Sequence, residues 1–298
     1  MDERKVLLKD LKDGNVKITL MIMKKLYKEK NKIVYTLCDK SSYINARISD
    51  RLKLEVGQVI EIEGVKDYVI DVSNVRVIDN FNIEDYLITV NRDIEKIMDE
   101  IEEISKNYII SPQAIRLNDY FFKDNNFLEK FKRGIGGVSM HHNYIGGLAE
   151  HTLNVMYLTK ILCDRYDCRR KEIAILSAKL HDIGKIYELD YNGPFKYTLE
   201  GELEGHIVIG VQMIDRAIID LGIPFSDDFV RRIKGCITQH HGKLEYGSPK
   251  KANMEESIIL NFADTIDATM NKINQIKEIT DVDKWSIYDK RIETKLYL

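Results

Sequence analysis

Residues 173–185 have the sequence IAILSAKLHDIGK, in which an apolar run ends on an adjacent histidine and aspartate. The run Ile173–Leu180 predicts a helix, and Gly184 is typical of the residue that follows a helix end. A histidine and an aspartate at that point can both turn toward one metal ion, and a carboxylate can also bridge to a second ion, which an imidazole cannot do. We therefore predict that His181 and Asp182 bind metal at the end of this helix.

The histidines of the chain extend this pattern in both directions. All seven fall between positions 141 and 241, about one third of the chain. Neutral imidazole and carboxylate are the usual ligands of borderline divalent metals. The predicted ligands are His151, His181, Asp182, His206, His240, His241 and Asp264. A single histidine on an apolar helical face is more often structural, but seven within this window favour a polynuclear metal site.

Two further polar side chains near these ligands have predicted roles. Asp267 lies three residues after Asp264 on the same helical face, so we expect one carboxylate to bind metal and the other to support it. Lys185 follows the His-Asp pair closely enough to contact a substrate phosphate. A lysine at a helix end is also stabilised by the helix dipole alone, which is the simpler interpretation.

The first eighty residues show a different pattern. Residues 14–80 contain about five β-rich runs with a period near two, such as Val16, Ile18, Leu20 and Ile22 with their alternating neighbours. Evenly spaced short strands with little helix between them favour a small closed barrel.

From residue 83 the apolar residues recur at spacings of three and four. Tyr86, Ile94 and Ile104 belong to one series, which predicts a long amphipathic helix that ends before the Ser111-Pro112 step. The residues that follow, to about position 275, show further helical segments joined by short loops. The glycines in these loops lack the spacing of a nucleotide-binding loop.

Composition narrows the class of protein. A chain of 298 residues with 44% hydrophobic and 31% charged residues is longer than one core usually grows, so two domains are expected. The sequence has no apolar run of membrane-spanning length and no secretory signal at its start, and its four cysteines form no CxxC pair. These features predict a cytoplasmic protein with reduced thiols and no membrane contact. The net charge of −3, divided as +3 over residues 1–80 and −6 over the rest, argues against a tight non-specific duplex binder.

The order of a histidine, a His-Asp pair and a later aspartate resembles the signature of the HD superfamily of metal-dependent phosphohydrolases. The additional histidines are similar to those of its two-metal subgroup. The resemblance implies one ion on His151, His181, Asp182 and Asp264, and a second on Asp182, His206 and either His240 or His241.

Longer segments of the sequence resemble a more specific family. The segments HHNYIGGL (141–148) and HHGKLEYGSP (240–249), behind an N-terminal barrel, resemble the YhaM-type 3′–5′ exoribonucleases. The barrel segment LEVGQVIEIEG (54–64) is similar to OB-folds that bind single strands. The predicted fold is therefore multidomain α+β, with an OB-like barrel over 1–80, a helical linker region over 81–139, and an all-α HD domain with a C-terminal tail over 140–298.

This resemblance implies a metal-dependent exonuclease that hydrolyses single-stranded RNA, and in some members DNA, from the 3′ end. Two divalent ions are implied, Mn²⁺ first and Co²⁺ or Fe²⁺ as alternatives, and a homo-oligomer is compatible with the sequence. In such a site Asp182 would bridge the ions. Lys185 and one of His141 and His142, of which we favour His142, would stabilise or protonate the leaving oxygen.

The barrel would hold the single strand. Lys24 and Lys25 belong to a lysine cluster around the first predicted turn, and Tyr27, Tyr35 and Tyr43 offer aromatic faces on which bases could stack. Any one of these tyrosines would more often pack in the barrel itself. When the tyrosines are considered together with the lysines, a nucleic-acid-binding groove and packing in the barrel are equally good interpretations.

Other functions stay open on the same residues. A nucleotidase or a cyclic dinucleotide phosphodiesterase would use the same metal core, and a non-catalytic RNA-binding regulator would have a decayed one. The Gly-Tyr-Pro triplet of the best-known cyclic dinucleotide subgroup is absent, and residues 246–249 read Tyr-Gly-Ser-Pro instead. The complete ligand set argues against decay.

Overall fold

A computed structural model describes residues 6–138 and 142–298. The chain divides into two compact units: a barrel unit of the residues up to 89 with 190–196, and a helical unit of residues 90–189 with 197–298. The segment predicted as a helical linker region, 81–139, therefore divides between the units near residue 89. Its helices join the helical unit because their apolar side chains share one core with the helices that follow them.

The barrel unit is built on five strands of the described chain, in the hydrogen-bonded order β1-β2-β3-β5-β4, which closes on itself. The strands are β1 (Gly14–Glu29), β2 (Lys32–Cys38), β3 (Tyr43–Ser49), β4 (Val59–Lys66) and β5 (Ile70–Ile78). All neighbours are antiparallel except β3 and β5. Leu20, Ile22 and Ile60 are fully buried inside, as the period of two predicts.

The long helix predicted from Tyr86 begins later than its apolar spacing suggested. Ile83–Asp85 form a single 3₁₀ turn, and Tyr86 is buried in the barrel unit, where its carbonyl accepts a hydrogen bond from Cys38 Sγ at 2.9 Å. The helix starts at Ile94, where the side chain of Asp93 caps the first turn. Apolar residues keep the helical spacing between Tyr86 and Ile94 because the chain is buried before and after this connection. The spacing alone therefore could not locate the start of the helix.

The helical unit is built on α-helices, and its core lies around α4 and α5; the two-residue strands β6 and β7 lie where the chain passes between the units. The elements are α1 (Ile94–Tyr108), α2 (Pro112–Phe122), α3 (Asn125–Arg133), α4 (Gly147–Arg165), α5 (Lys171–Leu180), α6 (Lys185–Glu188), β6 (Leu189–Asp190), β7 (Lys196–Tyr197), α7 (Leu199–Leu221), α8 (Asp227–Gln239) and α9 (Glu255–Lys277). Leu148, Leu176 and Phe131 are fully buried in this core. Among the described helices, none combines the length and the apolar character needed to cross a bilayer.

One charged side chain is buried within that core. Lys179 of α5 donates hydrogen bonds from Nζ to Ser105 Oγ on α1 at 2.8 Å and to Asn118 Oδ1 on α2 at 2.7 Å. The ammonium also lies 4.0 Å from the ring centroid of Phe122. Burial lowers the pKa of Lys179 to about 8, against the opposing effect of the Glu102 carboxylate. This lysine therefore connects α1 and α2 to the helix that leads into His181.

We expect a Lys179→Met variant to differ from the wild type in the pH dependence of its stability. Because the folded pKa lies below the unfolded value of 10.5, the unfolded chain binds more protons between these two values. The free energy of unfolding of the wild type should therefore rise relative to Lys179→Met from about pH 8 to about pH 10.5. Thermal unfolding at several pH values measures the difference. The exposed Lys106→Met serves as the control, and curves that stay parallel for wild type and Lys179→Met would contradict the expectation.

Candidate metal centre

The structure brings all seven predicted ligands into one cluster. They come from five helices of the helical unit: the first turns of α4, the ends of α5 and α8, the middle of α7, and the middle of α9. Successive imidazole rings lie 5.2 Å apart for His151 and His181, 5.0 Å for His181 and His240, 5.5 Å for His206 and His240, and 5.2 Å for His206 and His241, measured between centroids. A continuous row of rings therefore runs through the unit, with the carboxylates of Asp182 and Asp264 beside it.

One group of ligand atoms surrounds His151 Nε2. It lies 3.2 Å from Asp264 Oδ1, 3.2 Å from His181 Nε2 and 3.4 Å from Asp182 Oδ2. Two atoms bound to one ion at about 2.1 Å lie about 3.0–3.4 Å apart, so this spacing fits a shared cation. Burial lowers the pKa of His151, but the neighbouring carboxylates outweigh burial and raise it well above its ordinary value. The same negative potential favours a metal ion.

A second group of ligand atoms lies on the other side of Asp182. Asp182 Oδ1 is 3.5 Å from His206 Nε2 and 3.6 Å from His240 Nε2. These three atoms, with Nδ1 of His241, are buried and have no hydrogen-bond partner among the described residues. Buried polar atoms are nearly always satisfied, so convergent lone pairs of this kind fit a cation. The donor set, three imidazole nitrogens and a carboxylate oxygen, is one that divalent transition metals take.

Asp182 is shared by both groups. Its Oδ2 atom faces the first and its Oδ1 atom faces the second. Burial raises the pKa of Asp182, but the charges of Lys185 and His181 outweigh that effect and hold the pKa well below its usual value. The carboxylate is therefore ionised, which is the form that bridges two cations.

The protonation of His240 also suits metal binding. Burial lowers the pKa of His240, and the neighbouring His241 and His181 lower it further. The ring therefore stays neutral, with a lone pair available on Nε2.

Four histidines, which we call the central histidines, each form a hydrogen bond through Nδ1, while Nε2 faces the ligand cluster. They are His151, His181, His206 and His240. Nδ1 bonds to the Ala178 carbonyl in His181 (2.9 Å), the Ile237 carbonyl in His240 (2.7 Å), Glu188 Oε1 in His206 (3.0 Å) and Asp267 Oδ2 in His151 (2.6 Å). A carbonyl or carboxylate oxygen accepts, so Nδ1 carries a proton in each ring, and Nε2 is the nitrogen left to bind a cation. Four rings are thus oriented with Nε2 toward the cluster.

Glu188 is a functional residue that the sequence did not reveal. Its carboxylate accepts from both the backbone N–H and Nδ1 of His206, each at 3.0 Å. The contact requires the non-helical break at Gly205 (φ 74°), which turns His206 toward α6. A glutamate eighteen positions away in sequence carries no local signal of this pairing. Asp267, the second aspartate on α9, contacts Nδ1 of His151 through Oδ2, and the same atom contacts Nε2 of His142 at 2.7 Å.

The structure places two predicted catalytic residues behind the ligands. His142 is buried, with Nε2 bonded to Asp267 and Nδ1 2.9 Å from the Tyr144 hydroxyl, so both ring nitrogens are engaged away from the ligand atoms. Lys185 is buried as well and donates from Nζ to Asp182 Oδ2 and to the Gly136 carbonyl, each at 2.7 Å. Lys185 contacts the predicted ligand Asp182 directly, whereas His142 is connected to the predicted ligand His151 through Asp267. His141 lies outside the described residues.

The predicted nucleic-acid contacts on the barrel unit differ in their exposure. Lys24, Lys25 and Tyr27 are exposed, and Tyr43 is 37% exposed. Tyr35 is only 1% exposed and lies in the barrel core. The prediction of Tyr35 as a stacking surface is therefore wrong, because alternation along β2 turns it inward with Ile33 and Leu37.

We expect Glu188→Gln to weaken divalent metal binding by roughly 10- to 100-fold, because a carboxylate that orients a metal-binding imidazole raises the basicity of that imidazole. Titration of the purified protein with Mn²⁺ in a calorimeter measures the affinity. Asp227→Asn, an exposed carboxylate on α8, is the matched control and should bind as the wild type does. Wild-type affinity in Glu188→Gln would contradict the assignment of His206 as a ligand.

Comparison with known proteins agrees with this geometry. Residues 148–269 match the HD domain family. The chain is 34% identical over 203 residues to the 3′–5′ exoribonuclease YhaM of Geobacillus sp. strain WCH70 and 32% identical to that of Bacillus subtilis, each over 67% of this chain. These alignments span 60% and 62% of the two relatives' own length, so the chain covers about three fifths of each. The YhaM protein of Listeria welshimeri is 27% identical over 84% of this chain and 82% of its own. Residues 148–269 are therefore similar to HD domains, and the predicted resemblance of the chain to YhaM exoribonucleases is confirmed.

Proposed function

We propose that this protein is a metal-dependent 3′–5′ exonuclease that hydrolyses single-stranded RNA, with single-stranded DNA as a second substrate class. The observation that carries the proposal is the arrangement of ligand atoms on both sides of Asp182, with four of them buried and unsatisfied among the described residues. The relatives named 3′–5′ exoribonuclease support the choice of reaction and direction.

The donor set supports two divalent ions. Nitrogen and carboxylate ligands without thiolate suit Mn²⁺, and Co²⁺ or Fe²⁺ as alternatives. His151, His181, Asp182 and Asp264 would hold one ion, and Asp182, His206, His240 and His241 the other. Such a pair would activate water at neutral pH and neutralise charge on the phosphoryl oxygens.

The chain's own residues would prepare the site before substrate arrives. Lys185 holds the shared carboxylate of Asp182 and anchors it to the backbone at Gly136. Asp267 orients His151 and is itself held by Asn154, whose side-chain amide donates to Oδ1 at 2.8 Å. Fixed donors of this kind need little reorganisation during the reaction, which is the basis of electrostatic catalysis.

The barrel unit would act as an OB-fold that holds the single strand. A closed five-stranded barrel in the order β1-β2-β3-β5-β4 is compatible with the Greek-key OB architecture. Lys24, Lys25, Tyr27 and Tyr43 remain as contacts, since they are at least partly exposed. The buried free thiols of the four cysteines support a cytoplasmic location.

Degradation of a 5′-labelled single-stranded oligoribonucleotide with added Mn²⁺ tests the proposed activity. The wild type should produce a descending ladder of products. His181→Ala and Asp182→Ala should slow it by about 10³-fold or more, because each removes a ligand from the site that supplies the nucleophile. Asp227→Asn should degrade at the wild-type rate. A wild type that binds metal without cutting the strand would favour a nucleotidase or a cyclic dinucleotide phosphodiesterase, which turnover of those small substrates would reveal.

The barrel contacts need a separate experiment. Combined Lys24→Ala, Lys25→Ala and Tyr27→Ala substitutions should raise the Kd for a single-stranded oligonucleotide by roughly tenfold, since one stacked base and two phosphate contacts are lost. Hydrolysis of a small chromogenic phosphodiester should not change. Tyr68→Ala is the matched control, because Tyr68 is an exposed tyrosine in the turn after β4, next to the opposite end of β1. Equal losses on the two substrates would contradict the assigned role.

A further inference from the structure

A short rigid loop follows the second pair of ligand histidines. Residues 242–248 leave α8 directly after His241, and a Cβ atom built on Gly247 would lie 3.8 Å from His241 Nδ1. The buried Ser248 fixes the far end of the loop, because its hydroxyl bonds to the Lys250 carbonyl at 2.6 Å and its backbone N–H donates to the Lys243 carbonyl at 3.2 Å. The loop therefore lies beside a predicted metal ligand, and hydrogen bonds of Ser248 hold its far end.

This loop presents apolar side chains to solvent. Leu244 and Tyr246, in the 3₁₀ turn Leu244–Tyr246, are 66% and 62% exposed. Neither belongs to a core cluster, so packing in the chain does not account for them. An exposed aromatic ring on a rigid loop loses little conformational entropy when it binds a partner.

A positive charge accompanies the exposed ring. Lys243 Nζ lies 5.1 Å from the centroid of the Tyr246 ring and 3.2 Å from Glu245 Oε1. The Lys243 ammonium lies over one face of the ring, and Tyr246 is still mostly exposed. A stacking surface beside a cation is the combination by which proteins hold unpaired nucleotides.

We propose that the loop 242–248 binds the terminal nucleotide of a single-stranded substrate, with its base stacked on Tyr246 and its phosphate attracted by Lys243. This inference rests on the proposed exonuclease function and adds a substrate-positioning residue to it. Because the loop begins one residue after His241, a base held there keeps the last phosphodiester close to the ligand cluster. Every base has a π-face, so the site would accept any terminal base and would discriminate against an abasic end.

The test compares two oligoribonucleotides that differ only in the 3′-terminal residue, one with a base and one abasic. In the wild type with Mn²⁺, the abasic end should raise KM by roughly tenfold, as expected for one lost stack. Tyr246→Ala should raise KM for the normal end by a similar factor and leave the abasic end unchanged. Tyr246→Phe keeps the ring and should resemble the wild type. Tyr166→Ala, a 72% exposed tyrosine at the opposite end of α4 from His151, is the control.

A binding measurement makes the result independent of turnover. Fluorescence anisotropy of the same oligonucleotides in an Asp182→Ala background should show the same preference for a terminal base, and Tyr246→Ala should remove it. Equal KM values for the two ends in the wild type, or an equal loss on both ends in Tyr246→Ala, would overturn the inference. A wild type that does not degrade either oligonucleotide would instead overturn the proposed exonuclease function.

Discussion

The carboxylate of Asp182, buried between two groups of imidazoles, is the interaction on which the helical unit depends. Burying an ionised carboxylate costs several kcal/mol unless opposite charges and hydrogen bonds compensate it. Lys185 supplies one positive charge at 2.7 Å, and the remaining lone pairs face His151, His206 and His240 at 3.4–3.6 Å. Several helices must therefore end or bend at the same point, and that requirement sets the packing of α4, α5, α7, α8 and α9 around the site.

Two of the helices meet this requirement by the same local device. His181 and His240 are the C-cap residues of α5 and α8, and each bonds through Nδ1 to the carbonyl three residues earlier. The last carbonyls of a helix lack an intrahelical partner, so the histidine satisfies one of them and fixes its own tautomer in the same contact. The other two central histidines lie inside helices, where carbonyls are already used. They take carboxylates from distant segments, Asp267 for His151 and Glu188 for His206.

The surroundings of the cluster combine a closed interior with an exposed rim. Asp267 forms hydrogen bonds to His151, His142 and Asn154, and this network holds the His151 ring in place. Beside His241, by contrast, the chain leaves α8 in a loop with exposed Leu244 and Tyr246. The predicted ligands are therefore supported by hydrogen bonds on one side and adjoin an accessible aromatic ring on the other.

The sequence by itself determined the types of the predicted ligands and their positions on helices. A His-Asp pair after an apolar run, and Asp264 with Asp267 at a spacing of three, are local patterns whose geometry follows from the helical period. Alternation in the first strands likewise determined the barrel. Only the tertiary structure decided which side chains face the cluster from loops and distant helices. It turned His142 and Lys185 toward Asp267 and Asp182, brought Glu188 to His206, and placed Tyr35 in the barrel core. These contacts join residues without a shared period, so they depend on packing between elements, which no local pattern encodes.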